Sequence, residues 1–295
     1  MNENIVKERL EFPSGKETCV GYLYYTNSET PRPCIIIGSG FCGTQDTPSI
    51  IAVAESFAKA GFCAFTIDYR HLGESSGEPR QHVDIAGQQE DFIAAVKFIN
   101  KNPHVNADKL GLWGTSLGGG HVVSVAAKMP EISAVVSQIP YNGPPKKSPH
   151  SLWVKLRFLN AMRKDNKRAK KGLPPFYIPA IGKTGELAVM TGDEVMKTLE
   201  NVQSKTFRNE VAPRGFADFV KYKPSKIAGS IKATVMVCYG EHDKETQVPQ
   251  VMELARSIPK HEVKAYPFTH FEFYVPETRE GIISDQIDFL NRILN

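Results

Sequence analysis

The sequence lacks the long apolar runs of membrane proteins, because no stretch approaches the roughly 18 residues that a membrane-spanning helix needs. Residues 1–8 are polar and lack the apolar segment of a signal peptide, so we expect no secretion signal there. The five cysteines are scattered, odd in number and contain no Cys-x-x-Cys pair. These absences argue against a disulfide framework or a zinc site and favour a cytoplasmic protein with reduced thiols.

What the chain does contain is an ordinary composition for its 295 residues, with 41% hydrophobic and 23% charged residues. That length allows one large α/β domain or two smaller ones and a sizeable core. The net charge of +4 is unevenly distributed, since the segment 146–171 alone carries +9. The rest of the chain is therefore net acidic, and the basic excess is local.

Hydrophobic patterning predicts alternating strands and helices on both sides of a long interruption. The expected strands are 5–12, 18–25, 34–37, 62–67, 109–113, 132–139, 233–239 and 262–266, and the expected helices are 48–60, 85–100, 117–128, 248–258 and 279–294. This alternation indicates a mostly parallel sheet covered by helices on both faces. Residues 1–140 and 230–295 would form this core, and residues 141–229, without a clear strand, would form an inserted cap.

The stretch Gly-Thr-Ser-Leu-Gly at 114–118 lies between an expected strand and an expected helix. A Gly-x-Ser-x-Gly at such a junction is typical of a nucleophile elbow, in which small neighbours let the chain turn sharply and expose the serine. Alone the pattern is weak evidence. In this position it predicts that Ser116 is a nucleophile.

A serine nucleophile needs a base, and the base needs an orienting acid. Asp243 follows the strand 233–239, and His270 follows the strand 262–266, so both should reach the edge of the sheet where Ser116 emerges. We therefore predict a triad in which His270 takes the Ser116 proton and Asp243 orients His270. The sequence leaves other candidates open, namely His121, His242 and His261 for the base and Glu241 and Glu245 for the acid.

A developing oxyanion needs two backbone donors. We expect the amide of Leu117, directly after the nucleophile, to be one of them. The second should come from the loop after the strand 34–37, and we favour the amide of Phe41.

These features together resemble the α/β-hydrolase fold, with a mostly parallel sheet of about eight strands. The stretch 67–77, Ile-Asp-Tyr-Arg-His-Leu-Gly-Glu-Ser-Ser-Gly, is similar to an Asp-Tyr-Arg-Gly-x-Gly-x-Ser-x-Gly stretch common in that fold. The stretches 77–81 and 112–122 resemble the dienelactone-hydrolase-like branch and its polyketide acyltransferases and hydrolases. One departure is Ser39, because the family's oxyanion loop usually begins His-Gly where this chain has Ser39 before Gly40.

The same loop also satisfies another pattern, because Gly38, Gly40 and Gly43 form a G-x-G-x-x-G after a strand and Asp68 ends the next strand. That arrangement would suit a dinucleotide cofactor. Against it, residues 44–48 separate the third glycine from the helix, so a pyrophosphate would lose its position at the helix N-terminus. We expect no cofactor and no metal.

The basic segment 146–171 has two interpretations, a solvated helix face or a docking surface for an anionic partner. A coenzyme A thioester or an acidic acyl carrier protein would fit such a surface. Interleaved aromatic residues would line an acyl pocket or form the core of the cap; they are Trp153, Phe158, Phe176 and Tyr177. No recognised nucleic-acid-binding module accompanies the charge, so we expect no nucleic-acid partner.

The sequence as a whole predicts a serine hydrolase that acts on ester or thioester bonds through an acyl-serine intermediate. Transfer of an acyl or polyketide group from a thioester to an alcohol is an alternative, because it uses the same triad and oxyanion hole. An α/β-hydrolase-fold binding protein without activity is a second alternative. The sequence does not decide the substrate or the oligomeric state.

Overall fold

A computed structural model describes residues 4–145 and 151–295 and, within them, every side chain except those of residues 200–202. Eight strands form one sheet. They are β1 (Ile5–Ser14), β2 (Glu17–Thr26), β3 (Arg32–Gly38), β4 (Cys63–Ile67), β5 (Val105–Thr115), β6 (Ala134–Gln138), β9 (Thr234–Gly240) and β10 (His261–Tyr266). The numbers β7 and β8 belong to two short strands outside this sheet, which are described below.

The strand order in this sheet is β1-β2-β4-β3-β5-β6-β9-β10. The pairs β1–β2 and β2–β4 are antiparallel, and all later pairs are parallel. The prediction of a mostly parallel, eight-stranded sheet is therefore confirmed. The consequence for function is that β3, β5, β6, β9 and β10 all end at one edge of the sheet.

Five helices cover the sheet, and their apolar residues divide between two clusters. They are α1 (Pro48–Lys59), α2 (Ile85–Ile99), α3 (Leu117–Ala126), α7 (Val248–Arg256) and α8 (Pro276–Leu294). Residues of α2, α3 and α7 pack on one face of the sheet, and residues of α1 and α8 pack on the other. Neighbouring strand residues such as Ile36 and Ile37 belong to opposite clusters, as the two-residue period of a strand requires.

Several element ends differ from the prediction. β1 and β2 continue to a two-residue turn at Gly15 and Lys16, because Ser14 pairs with Glu17. Pro13 is tolerated in β1 because β1 is an edge strand of the sheet. β5 begins earlier and ends later than expected, whereas α8 begins at Pro276, where proline suits the first helical turn.

The segment between β6 and β9 is largely helical where the structure describes it. It contains α4 (Leu152–Ala169), α5 (Asp193–Val202), α6 (Phe216–Lys221) and two short paired strands, β7 (Ile181–Gly182) and β8 (Met190–Thr191). Sequence patterning showed no clear strand in this segment, and the structure adds these two short ones. These two-residue strands carry no periodic pattern, and their pairing depends on tertiary contacts.

Apolar side chains of this segment share one cluster with the α/β core. Ala161 and Phe216 from the segment pack with Leu117 of the elbow and Val83. None of the helices described here has both the length and the apolar character to cross a membrane. All five cysteines are buried and carry free thiols.

Candidate active site

Ser116 occupies a sharp turn between β5 and α3. Its φ of 55° and ψ of −116° are unusual for a residue with a side chain. A Cβ on Gly114 would overlap the carbonyl oxygen of Gly118, and a Cβ on Gly118 would overlap the carbonyl oxygen of Ser39. Glycine is therefore required on both sides of Ser116, so that strand, helix and the neighbouring loop can approach one another.

Backbone hydrogen bonds hold the turn on both sides. The Ser116 amide donates to the Gln138 carbonyl at 2.9 Å, and the Ser116 carbonyl accepts from the Tyr141 amide at 2.9 Å. Beneath the turn, the Thr115 hydroxyl lies 3.1 Å from the Tyr274 hydroxyl and accepts from the Gln138 side chain at 3.1 Å. The strained conformation of Ser116 is thus supported by β6 and by the segment that precedes α8.

The three side chains expected to form a triad meet at this edge of the sheet. The Ser116 Oγ lies 3.1 Å from His270 Nε2, and His270 Nδ1 lies 2.7 Å from Asp243 Oδ2. His270 and Asp243 are buried, whereas Ser116 is half-buried. They come together because β5, β9 and β10 are parallel and each residue follows the carboxyl end of its strand.

Asp243 is fixed by further donors that sequence analysis missed. The Thr246 hydroxyl donates to Oδ2 at 2.7 Å, and the amides of Glu245 and Thr246 each donate to Oδ1 at 2.8 Å. The only sequence signal for this role is the position of Thr246, three residues after Asp243. These bonds leave Asp243 one defined orientation toward His270.

The pair of His270 and Asp243 has linked pKa shifts. Burial by itself lowers the pKa of His270, but the charge of Asp243 and its hydrogen bond outweigh burial, so the pKa lies above its ordinary value. Burial raises the pKa of Asp243, but His270 and the Thr246 hydrogen bonds outweigh it, so the pKa lies below its usual range. The site therefore stabilises a charged imidazolium beside a carboxylate, as a base that receives the serine proton requires.

The loop after β3 packs directly on Ser116. A Cβ on Gly40 would lie 3.2 Å from Ser116 Cβ. The Ser39 hydroxyl donates to the Gly43 carbonyl at 2.6 Å, so this side chain supports the loop. Phe41 and Leu117 both line the cavity that Ser116 opens into. Leu117 begins α3, so its amide has no carbonyl acceptor within the helix.

Two of the other candidate bases, His121 and His261, have ring contacts other than Ser116. His121 lies between Gln88 and Tyr222, at 2.9 Å and 3.1 Å. His261 begins β10 at the opposite end of the strand, where its Nδ1 lies 2.7 Å from the Ile258 carbonyl. The His242 amide donates to the Phe268 carbonyl at 3.2 Å. The imidazoles of His121 and His261 are thus engaged elsewhere, and the imidazole that contacts Ser116 is that of His270.

The candidate ribose ligand Asp68 is also engaged elsewhere. Its carboxylate accepts from the Gln45 amide at 2.8 Å, the Gln45 side chain at 3.0 Å and the Glu74 amide at 2.9 Å. Complete burial raises its pKa to about 7. Asp68 thus joins the loops after β3 and β4. In the part of the chain that the structure describes, no group of three or more His, Cys, Asp or Glu side chains could hold a metal ion.

A cavity of about 620 Å³ opens at Ser116 and His270, which we call the large pocket. Most of its wall is apolar and comes from the segment between β6 and β9. Side chains that represent this wall are Phe41, Val154, Phe158, Met162, Phe216 and Phe219. Lys155, Lys221 and Glu245 also line it. Cavities of this size and character bind small organic molecules.

The four aromatic residues of the basic region have different positions. Phe158 lines the large pocket, whereas Trp153 is 69% exposed. The Lys164 ammonium lies 3.8 Å from the centre of the Phe176 ring. The Tyr177 hydroxyl donates to the Arg80 carbonyl at 3.0 Å. The sequence allowed two roles for these aromatic residues, lining of an acyl pocket or packing in the core of the cap. Among the four, Phe158 is the one that lines the large pocket as the structure describes it.

The basic charge of α4 is mostly exposed. Asp165, its one acidic residue, is buried and pairs with Arg214 at 2.8 Å, outside the basic segment. Lys146 and Lys147 lie outside the described residues. Within residues 151–171, the exposed basic residues are Lys155, Arg157, Arg163, Lys164, Lys167, Lys170 and Lys171.

A known protein family matches most of this chain. The model of the serine aminopeptidase S33 family, Hydrolase_4, matches residues 29–271. The chain belongs to this family. The matched range begins before β3 and ends directly after His270, so it includes Ser116 and Asp243. The prediction of a serine hydrolase family is thereby confirmed.

Curated relatives carry several names. The chain is 32% identical to the quorum-quenching protein AidA of Acinetobacter baumannii, over 97% of this chain and 94% of the relative. It is 25% identical to the polyketide transferase claH of Penicillium crustosum, over 88% of each chain. It is 30% identical to the thiohydrolase apmlB of Arthrinium phaeospermum, over 65% of this chain and 64% of the relative.

Among solved structures, the α/β hydrolase GrgF of a Penicillium species is similar with a TM-score of 0.84. It is 22% identical, and the match covers 98% of this chain and 99% of that one. This likeness confirms the predicted α/β-hydrolase fold.

Proposed function

We propose that this protein cleaves an ester or thioester of a large apolar acyl group through an acyl-Ser116 intermediate. The observation that carries the proposal is the hydrogen-bonded chain from Ser116 through His270 to Asp243 at the mouth of the large pocket. The thiohydrolase and polyketide transferase names among the relatives support an acyl substrate.

In this mechanism Ser116 Oγ attacks the substrate carbonyl while its proton passes to His270 Nε2. Asp243 stabilises the resulting imidazolium, and the amides of Leu117 and Phe41 donate to the oxyanion. His270 then protonates the departing alcohol or thiol. The acyl group stays in the large pocket on Ser116 until an acceptor removes it.

The segment 141–229 acts in this proposal as a cap on a core formed by residues 1–140 and 230–295. Support comes from Phe158, Phe216 and Phe219, which supply much of the pocket wall. The cap would therefore determine which acyl groups bind, while the core carries out the reaction. A cytoplasmic location is part of the same proposal and rests on the five buried free thiols.

Trapping of the intermediate tests the proposal directly. Intact-mass measurement after mixing with a panel of acyl esters and coenzyme A thioesters should show one acyl adduct, located on Ser116. Absence of any adduct with every substrate, together with absence of product, would contradict it and favour a binding protein. Transfer to an alcohol, the second candidate activity, would appear as ester product when alcohols are added.

The oxyanion loop supplies a further prediction. Replacing Gly40 by alanine places a Cβ 3.2 Å from Ser116 Cβ and 3.3 Å from the Thr115 carbonyl oxygen. The loop or the Ser116 turn must move by a few tenths of an ångström, which should misalign the Phe41 amide and lower kcat by up to about 10²–10³, the effect of losing one oxyanion donor. Steady-state kinetics with a p-nitrophenyl ester measures this.

Gly281→Ala is the matched control, because no atom other than its chain neighbours and the backbone of its own helix lies within 4 Å of the position where its Cβ would be. That variant should keep full activity. Equal activity of Gly40→Ala and wild type would contradict the role of this loop.

Docking of coenzyme A or an acidic acyl carrier protein on the exposed basic residues of 146–171 is also proposed. Reversal of Lys164, Lys167, Lys170 and Lys171 to glutamate should raise KM for such a thioester about tenfold or more at low salt, because it removes attraction and adds repulsion. KM for an uncharged p-nitrophenyl ester should not change.

The control for this experiment reverses four exposed lysines elsewhere, Lys59, Lys97, Lys101 and Lys260, and keeps the same change in net charge. Those reversals should leave both KM values near wild type. An equal rise of KM for the charged and the uncharged substrate would overturn the docking proposal.

A further inference from the structure

A row of buried hydrogen bonds, which we call the relay, joins β5, β6 and α8 and ends at Thr115, the residue before Ser116. The Trp113 indole N–H donates to Gln286 Oε1 at 2.8 Å, and Gln286 Nε2 donates to Gln138 Oε1 at 2.8 Å. Gln138 Nε2 then donates to Thr115 Oγ1 at 3.1 Å. The four side chains of the relay are at most 4% exposed. The relay therefore works without help from solvent.

The first member of the relay fixes the direction of every bond that follows. An indole N–H donates and cannot accept, so Gln286 must turn its oxygen toward Trp113 and its nitrogen toward Gln138. Gln138 accepts on its oxygen for the same reason and donates with its nitrogen. Thr115 Oγ1 thus receives a hydrogen bond, and its own proton must point to another acceptor.

Tyr274 continues the relay. Its Oη lies 3.1 Å from Thr115 Oγ1 and is the acceptor that the described residues offer to the Thr115 proton. Because a buried hydroxyl proton is rarely left without an acceptor, Thr115 donates to Tyr274. A phenol that accepts this bond still has its own proton, which it can donate on its other side.

The other side of the Tyr274 hydroxyl is the side of Ser116. Tyr274, Ser116 and Gly40 line the same small cavity. A Cβ on Gly40 would lie 3.2 Å from Ser116 Cβ and 3.7 Å from Tyr274 Oη, so both groups approach one point of the oxyanion loop. Burial raises the pKa of Tyr274, and hydrogen bonding with the Thr115 and Ser116 side chains acts against this rise. The phenol therefore keeps its proton at neutral pH, and the Ser116 side chain is within its reach.

We propose that Tyr274 donates a hydrogen bond to Ser116 Oγ and is a fourth catalytic side chain of this site. The inference rests on the acyl-Ser116 chemistry proposed above. Ser116 Oγ has one proton, which points to His270 Nε2, and two lone pairs, of which one accepts from Tyr274 and the other attacks the substrate carbonyl. As His270 removes the proton, negative charge grows on Oγ, and a hydrogen bond to a charged oxygen is stronger than one to a neutral oxygen. Tyr274 keeps its own proton throughout the step.

Tyr274→Phe tests the proposal because it removes the phenolic oxygen and keeps the ring. Burst kinetics with the p-nitrophenyl ester of decanoic acid measure acylation, since each acylation of Ser116 releases one p-nitrophenol. The maximal burst rate should fall about tenfold or more, as expected for a lost hydrogen bond to a group that gains charge. The ester concentration at half the maximal rate should not change, because Tyr274 does not line the large pocket. Labelling by a fluorophosphonate probe should slow by a similar factor.

Tyr266→Phe is the matched control. Tyr266 is also buried, its hydroxyl donates to Asp285 Oδ2 at 2.9 Å, and it lines neither cavity. This variant should acylate and label at the wild-type rates. If Tyr274→Phe acylates and labels as fast as Tyr266→Phe, the role of Tyr274 is refuted, although the acyl-Ser116 proposal stands. If wild type gives neither burst nor label, the proposed function itself fails.

A double-mutant cycle tests whether the relay acts through the phenol. Thr115→Val keeps the shape of the side chain and removes the donor that orients Tyr274, so by itself it should slow acylation about threefold. In the Tyr274→Phe background the same substitution should have no further effect, because no phenolic proton is left to orient. Equal slowing in both backgrounds would show that Thr115 acts independently of Tyr274 and would overturn the role given to the relay.

Discussion

Replacing Ser116 by alanine should lower kcat by about 10⁶ and abolish labelling by a fluorophosphonate probe, because no covalent intermediate can form. The loss should be this large because the His270 and Asp243 side chains act through the serine oxygen. His270 Nε2 lies 3.1 Å from that atom, and without it the base has no proton to remove. The activity that remains would come from the oxyanion donors and the pocket.

The fold should survive this change. Ser116 Oγ contacts His270, whereas the backbone bonds to Gln138 and Tyr141 hold the turn and do not depend on the side chain. Circular dichroism and thermal melting should match wild type. Ser284→Ala, an exposed serine of α8, is the control and should retain full labelling. Turnover or labelling that persists in Ser116→Ala would place the nucleophile elsewhere.

Replacing Asp243 by asparagine should lower kcat/KM by about 10⁴ and also move the pH profile. An asparagine amide can donate to His270 Nδ1, which would leave Nε2 protonated and unable to accept the serine proton. In wild type, activity should rise with pH through the pKa of His270, since only the neutral imidazole is a base. That pKa lies above its ordinary value because Asp243 favours the charged form.

The direction of the profile shift follows from the opposing effects on His270. Burial lowers its pKa, and the Asp243 charge is what outweighs burial. Without that charge the pKa falls, so the acid limb of kcat/KM against pH should move to lower pH while the plateau drops. Asp108→Asn, at an exposed site, should change neither. A lower plateau with an unmoved acid limb would show that Asp243 does not control the titration of His270.

The candidate triad could be predicted from the sequence for a simple reason. Residues 116, 243 and 270 are distant in the chain, but each follows a strand of a parallel sheet, and such strands end at one edge. The order of elements was therefore enough to bring them together. For the oxyanion loop the same reasoning led to Phe41, and Gly40 against Ser116 is consistent with it.

The segment between β6 and β9 shows where this reasoning stopped. Its short strands β7 and β8 pair through two residues each, too few for any period to be visible in the sequence. Composition placed Trp153 and Phe158 in one group, yet Trp153 is exposed and Phe158 lines the large pocket. Which side chains of α4 face the pocket depends on how this helix packs against the core.

By itself the sequence determined the class of fold and the three side chains that meet at the sheet edge, because strand alternation and strand ends are local patterns. Only the tertiary structure decided the space around them: the size of the large pocket and the bonds from Thr246 to Asp243. Those features arise where segments far apart in the chain pack together. No periodic pattern in the sequence records such packing.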